Sequence, residues 1–280
     1  MWYNDFRGRM NFIKTHCQTI DDLLLGGFQK SRISGIVGAE DVGKSQIAAQ
    51  ILVSNQPSMV IETEGKGYDL IFDYMLKRFN VKNDVKLEYV IGFDELMKFF
   101  GLDVKIIISD KGKTKPIIEF LDWEETELNK ILKKSKFNVV ILDSLSAPMK
   151  HRLDSNTENF STRATIEQAL FGRMLLYAFK YDFAFIVIHH IQGLDAMKPW
   201  KEREAYGGSP IVYNASNLLF IYEPTKENIK DVGKDTIKRV KRGRLIGKRE
   251  SELMLVDLQE DYGYIDVKPI ETKNGELSEE

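Results

Sequence analysis

The sequence predicts an α/β domain built on a mostly parallel, twisted sheet with helices on both faces. Two observations predict it. Apolar, β-rich runs alternate with amphipathic stretches along most of the chain, and a glycine-rich loop stands at a strand-to-helix junction near its start. With 280 residues, 43% of them hydrophobic, the chain is long enough for one large core, and no Pro/Ser-rich linker divides it.

In chain order, "RISGIVG", "SMVIET", "FNVVILDS", "DFAFIVIHH", "NLLFIYE" and "ELMLVDL" have the composition of buried strands. A helix is expected from about Lys44 through "SQIAAQILVS". Another is expected over "STRATIEQALFGRMLLYAFK", with Ile166, Leu170, Met174, Leu175 and Phe179 on one apolar stripe. Between the second and third strands, "FDELMKFFGLD" has a helical pattern, and "VKIIISDKGKTKPIIEF" has two β-branched runs around a Lys/Gly turn, the pattern of a hairpin. Phe93 to Phe120 is therefore expected to be an inserted helix and hairpin, either an ordinary edge element or a contact for a partner or DNA through Lys111, Lys113 and Lys115. The expected organisation is an N-terminal segment over 1–18, a core over 19–270 carrying the insertion 93–120, and an acidic tail over 271–280.

The formal net charge of -2 hides an uneven distribution, because Lys226 to Arg249 holds ten Lys or Arg against three Asp or Glu. Any anion-binding face is local. One cysteine, Cys17, excludes an internal disulfide framework, and four histidines make a dedicated zinc site a poor expectation. The first residues have no apolar signal core and the longest apolar runs are too short to span a bilayer, so the expectation is a cytoplasmic chain with no membrane partner.

Gly38, Ala39, Glu40, Asp41, Val42, Gly43, Lys44 and Ser45 fit G-x-x-x-x-G-K-[ST] between an expected strand and an expected helix, and Gln46 follows in the helix. In such a loop, glycine lets the backbone approach phosphates and consecutive N–H groups at the helix start supply partial positive charge. The lysine reaches the β/γ-phosphates and the serine hydroxyl ligates Mg²⁺. Glu40 and Asp41 sit inside the loop, but the grip comes from backbone N–H groups, so both side chains can face solvent. ATP and Mg²⁺ are the expected ligands.

"FNVVILDS" ends in Asp143, where a carboxylate would hold Mg²⁺ beside Ser45; the alternative is a cap for the next turn. "VIETEG" places Glu62 and Glu64 at another strand's C-terminal end, the edge where ligands bind in open parallel sheets. Both can reach the site, or one is a turn residue; Glu64 is the expected base that orients a water for attack on the γ-phosphate.

These pieces, with "TIDDLLLGGFQKSRISGIVGAEDVGKSQIAAQIL", "VVILDSLSAPMKHRL" and "YGGSPIVYNASNLLFIY", stand in the order and rough spacing of the RecA/RadA recombinase ATPase core. Over about Thr19 to Val267 the chain resembles RadA paralogues of the RadB or KaiC-like kind. That resemblance implies a RecA-like P-loop NTPase fold, ATP hydrolysis with Glu64, Lys44 and His190 as the catalytic set, and Mg²⁺ on Ser45 and Asp143. It also implies two DNA-binding segments, "KHRLDSNTENFSTR" with Arg152 and Arg163, and "QGLDAMKPWKEREAYGG" with Lys198, Trp200, Lys201 and Arg203. The second mixes positive charge with an aromatic ring, the combination that single strands use.

Where family members carry a polar Asn-Gln pair that senses the γ-phosphate, this chain has His189-His190, and His190 is the expected sensor; a structural strand-end histidine is the alternative. The adenine-stacking arginine of the family falls near Tyr68, whose ring is the expected stacking surface. No helix-hairpin-helix domain and no Phe-x-x-Ala segment precede the core, which argues against filament formation and strand exchange. Arg239, Lys241, Arg242 and Arg244 in "KRVKRGRLIGKRE" are candidates for fingers reaching a neighbour's nucleotide, or for a solvated or DNA-facing hairpin.

The resemblance thus implies a slow, DNA- or oligomer-stimulated ATPase that binds single-stranded DNA as an accessory factor in recombination and repair, with a RadA-type recombinase and a homo-oligomer as candidate partners. Two alternatives stay open: a KaiC-like signalling ATPase or kinase that never touches DNA, and a non-enzymatic adaptor that binds ATP to dock a recombinase.

Overall fold

The strand that leads into the glycine-rich loop lies inside the sheet, with every residue buried. The computed structural model describes residues 12–38, 42–65, 67–108, 114–153, 160–190, 209–222, 237–245, 252–261 and 264–269. In chain order the elements are β1 (Phe12–Ile13), α1 (Gln18–Leu23), β2 (Phe28–Gln29), β3 (Ile33–Gly38), α2 (Lys44–Ser54), β4 (Ser58–Glu62), α3 (Tyr68–Phe79) and β5 (Val85–Tyr89). Then come α4 (Phe93–Phe99), β6 (Leu102–Ile108), β7 (Thr114–Phe120), a 3₁₀ turn at Trp123–Glu125, α5 (Glu127–Lys134), β8 (Val139–Asp143), α6 (Ser146–Leu153) and α7 (Phe160–Tyr181). The described chain closes with β9 (Ala184–His190), α8 (Ser209–Asn214), β10 (Asn217–Tyr222), β11 (Ile237–Leu245), β12 (Glu252–Asp261) and β13 (Tyr264–Pro269).

The main sheet has the order β13-β12-β11-β10-β3-β9-β8-β4-β5. Its six strands from β10 to β5 are parallel, and β11, β12 and β13 continue it antiparallel. The parallel strands are apolar on both faces, because helices cover both. One face packs Ile20 and Leu23 of α1, Ile47 and Leu52 of α2 and Phe72 and Met75 of α3. The other packs Leu96 of α4, Leu128 of α5, Met149 of α6 and Leu170 and Met174 of α7. Each fully buried Ile or Leu stabilises the fold by about 1.5–3 kcal/mol, so a single Ile141→Ala change at the centre of β8 costs about 2–5 kcal/mol once its cavity is counted.

The expected insertion is present as α4 and the β6–β7 hairpin, which pairs Leu102 with Phe120 through Ile108 with Thr114. It is fastened to α7. Arg173 donates from Nη2 to the Leu121 carbonyl at 2.6 Å, and the Lys180 ammonium sits 3.8 Å over the Trp123 ring. Thr126 and Tyr177 share a buried hydroxyl–hydroxyl hydrogen bond of 2.8 Å. Lys111 and Lys113, at the expected hairpin tip, lie outside the described residues.

The expected apolar stripe of α7 needs correction. Ile166, Leu170 and Met174 are buried, but Leu175 and Phe179 are 37% and 70% exposed. Turning 100° per residue, the face that meets the sheet continues through Tyr177 and Ala178, both fully buried, so Leu175 and Phe179 come out on the solvent side. Among the described residues, no helix is long and apolar enough to cross a membrane.

Candidate nucleotide-binding site

Strand register brings the expected site residues to one edge. Glu62 of β4 pairs with Asp143 of β8, and Gly38 of β3 pairs with His190 of β9, which runs two residues past the level of Asp143, so four neighbouring strands end close together at their C-terminal side. This is the edge at which α/β sheets of this type hold ligands.

Gly38 ends β3 with no room for a side chain. A Cβ there would lie 2.7 Å from the Ile221 carbonyl oxygen and 2.7 Å from a Val42 methyl. Gly43, at φ 90°, takes the left-handed conformation that starts α2. Lys44 and Ser45 follow as the first two residues of α2, where the N–H groups have no acceptor within the helix and point out of its start. Lys44 is almost fully buried, and its aliphatic stem runs beside Gly38. Ala39, Glu40 and Asp41 lie outside the described residues.

Ser45 donates from Oγ to Asp143 Oδ2 at 2.7 Å. Asp143 is fully buried, and its Oδ1 has no hydrogen-bond partner. Among the described residues no group of three or more His, Cys, Asp or Glu is placed to hold a metal ion by itself. One hydroxyl and one carboxylate with a spare buried oxygen suit Mg²⁺, which takes one or two protein oxygens and completes its shell with phosphates and water. The residues present therefore fit the metal that the loop motif implies.

Glu62 and Glu64 have different places. The Glu62 carboxylate is buried and accepts from the backbone N–H groups of Glu64 and Gly65, both at 2.7 Å, so it builds the turn that carries Glu64. Glu64 faces the site edge: its Oε1 accepts a short hydrogen bond from Ser144 Oγ and lies 3.2 Å from His190 Nε2. Thr63 locks the same turn to β8. Its hydroxyl donates to the Ser144 carbonyl at 2.7 Å and accepts from the Ser144 N–H at 3.0 Å, while its own N–H donates to the Asp143 carbonyl at 2.9 Å. The Asp143–Ser144 peptide is cis. The His190 N–H donates to Ser146 Oγ at 2.9 Å, tying the end of β9 to the start of α6. His189 points the other way and stacks on Phe171 at 6.1 Å between ring centroids.

Tyr68 requires the largest correction. Its ring is fully buried, tilted against Phe72 at 5.2 Å between ring centroids, and its hydroxyl donates a short hydrogen bond to Asp143 Oδ2. A ring with no exposed face cannot stack on adenine. Burial and then the Asp143 charge push the phenol well above its ordinary pKa, which keeps it a donor.

The residues expected to touch DNA divide. Arg152 is exposed near the end of α6. Arg163 is not at the surface: it is 2% exposed and lies one turn from the buried Glu167, so it cannot reach a nucleic-acid backbone, and that expectation is corrected. Lys198, Trp200, Lys201 and Arg203 lie outside the described residues. Arg239, Lys241, Arg242 and Arg244 stand on β11, paired with Tyr222, Phe220, Leu219 and Leu218 of β10, with a register shift between the last two.

The architecture is similar to that of a crystal structure of the RadB recombinase, with a TM-score of 0.64 over 92% of this chain and 100% of that one, at 16% identity. The chain has a RecA-like fold. No protein-family model and no curated protein matches the sequence. Within the RecA-like frame, sequence reasoning missed Thr63, Ser144 and Ser146, the hydroxyls that hold the Glu64 turn and His190. Their only sequence signal is adjacency to Glu64 and Asp143.

Proposed function

We propose that the chain is a Mg²⁺-dependent ATPase that binds single-stranded DNA and acts as an accessory factor to a recombinase in DNA recombination and repair. The observation that carries the reading is the meeting of Lys44, Ser45 and Asp143 with Glu64 and His190 at one sheet edge. In this reading Lys44 and the N–H groups at the start of α2 hold the ATP phosphates, with Gly38 to Gln46 forming the cradle. Ser45 and Asp143 hold Mg²⁺, which when bound neutralises charge on the β- and γ-phosphate oxygens. Glu64, aimed by Ser144 and His190, takes a proton from the attacking water.

His190 links that carboxylate to the segment after β9, which contains Lys198, Trp200, Lys201 and Arg203, so the nucleotide state changes the affinity for single strands. Arg152 adds a phosphate contact. Arg239, Lys241, Arg242 and Arg244 serve a neighbouring subunit's nucleotide in a homo-oligomer. The domain limits 19–270, with the tail beyond them, follow the same reading.

The test is phosphate release with and without single-stranded DNA, run beside size-exclusion chromatography on the same preparation. Stimulation by DNA, abolished in Lys44→Ala, supports the proposal. Absence of nucleotide binding and turnover under both conditions sinks it, whereas turnover with no DNA binding would leave a signalling ATPase.

A further inference from the structure

We propose that Tyr68 is a positioning residue for the magnesium carboxylate: its hydroxyl holds Asp143 Oδ2 and joins that carboxylate to the turn that carries Glu64. The proposal rests on the ATP and Mg²⁺ reading above and assigns a role that the loop motif does not contain.

Asp143 Oδ2 accepts from two donors, Ser45 at 2.7 Å and Tyr68. The two donors differ. Ser45 is the group expected to turn to the metal, which would remove its hydrogen bond from Oδ2. Tyr68 is fully buried and its hydroxyl also lies within hydrogen-bonding reach of Ser45, so when Ser45 turns to the metal Asp143 Oδ2 is the acceptor that stays beside it. Fixed at Oδ2, the carboxylate presents Oδ1, the buried oxygen with no partner. A donor behind a metal-binding carboxylate fixes its orientation, and loss of such a donor typically costs 10–100-fold in metal affinity.

The backbone explains why a residue so close to Glu64 reaches Asp143. Gly65 and Gly67, at φ 73° and 69°, reverse the chain after β4 and start α3 at Tyr68. Thr63 and Tyr68 thus fasten the two ends of the Glu64 turn to the same strand end, Thr63 through the backbone of Asp143 and Ser144 and Tyr68 through the Asp143 side chain. Metal carboxylate and base are held by one loop of chain.

The test uses the full chain with a fluorescent ATP analogue, titrated with Mg²⁺ after measuring binding in EDTA. Tyr68→Phe keeps the buried ring and removes only the hydroxyl. The expected result is an affinity in EDTA within about twofold of wild type and an Mg²⁺ midpoint raised about tenfold. Phe72→Leu disturbs the same packing without touching the hydroxyl and should leave the midpoint in place. An unchanged midpoint in Tyr68→Phe, or an equal shift in Phe72→Leu, overturns the proposal. Should Tyr68→Phe fail to fold, 3-fluorotyrosine placed at position 68 gives a second readout: its ¹⁹F resonance should move when Mg²⁺ is added to the nucleotide complex, and a resonance that stays put overturns the proposal. Wild-type binding that ignores Mg²⁺ altogether would be a separate result, refuting the magnesium reading and this proposal with it.

Discussion

His190 Nε2 lies 3.2 Å from Glu64 Oε1, joining two strand ends that are 126 residues apart in the chain. Both side chains are mostly buried, and Ser144 donates to the same carboxylate oxygen. A carboxylate whose direction is fixed by neighbouring donors is aimed at one point of the site edge, which is what a general base needs. Glu64→Gln should therefore lower ATP turnover by about 10²–10⁴-fold while leaving ATP affinity within a few-fold of wild type. Phosphate release and equilibrium binding on the same protein separate the two, and near-normal turnover would remove Glu64 from the reaction.

The same contact distinguishes the two readings of His190. Glutamine can also donate a hydrogen bond to Glu64, whereas alanine cannot. His190→Gln should keep turnover within about tenfold of wild type and retain its stimulation by DNA, and His190→Ala should lose the stimulation; a transition-state hydrogen bond of about 1.4 kcal/mol corresponds to that tenfold step. Equal behaviour of the two variants would make His190 a structural strand end.

The sheet, the glycine-rich loop and Asp143 were legible in the sequence because buried parallel strands are continuous apolar runs and the chemistry sits where those runs stop. Tyr68 was not legible as it stands. Its aim depends on two left-handed glycines, Gly65 and Gly67, that turn the chain back under Asp143, and no periodicity reports such a turn. Arg163 misled for a related reason: a positive residue in a polar segment reads as surface, but a helix places Glu167 one turn away and both are buried. On α7, apolar residues occupy more than one face, so spacing alone could not separate Tyr177 and Ala178 from Leu175 and Phe179.

Glu167 makes stability fall with rising pH. Its carboxylate is fully buried with neither oxygen hydrogen-bonded, and burial pushes its pKa from 4.5 up to about 8, against the opposing charge of Arg163. Between those values the folded chain keeps a proton that the unfolded chain releases, so its contribution declines from pH 4.5 to about 8 and is level above. Glu167→Gln removes this dependence. At 1.36 kcal/mol per unit, the variant should gain up to about 3 kcal/mol over wild type at pH 7 and almost nothing near pH 4.5. Urea unfolding at both pH values measures it, and an equal difference at the two would show that Glu167 is ionised in the fold.

Gly38 stands where the sheet ends and the phosphate loop begins. A methyl group there meets backbone on one side, the Ile221 carbonyl oxygen at 2.7 Å, and a side chain on the other, Val42 at the same distance. Val42 can turn, but Ile221 is held in register by its pairing with Gly38 and cannot move without parting β10 from β3. Gly38→Ala should therefore cost about 1–3 kcal/mol of stability. The strain falls at the start of the loop, so the N–H groups that follow lose their aim and ATP affinity should drop more than about tenfold, beyond what the stability loss alone would produce. Thermal unfolding together with nucleotide titration of the folded variant tests this. Wild-type affinity in a folded Gly38→Ala protein would show that the close approach at Gly38 is not needed for the phosphate grip.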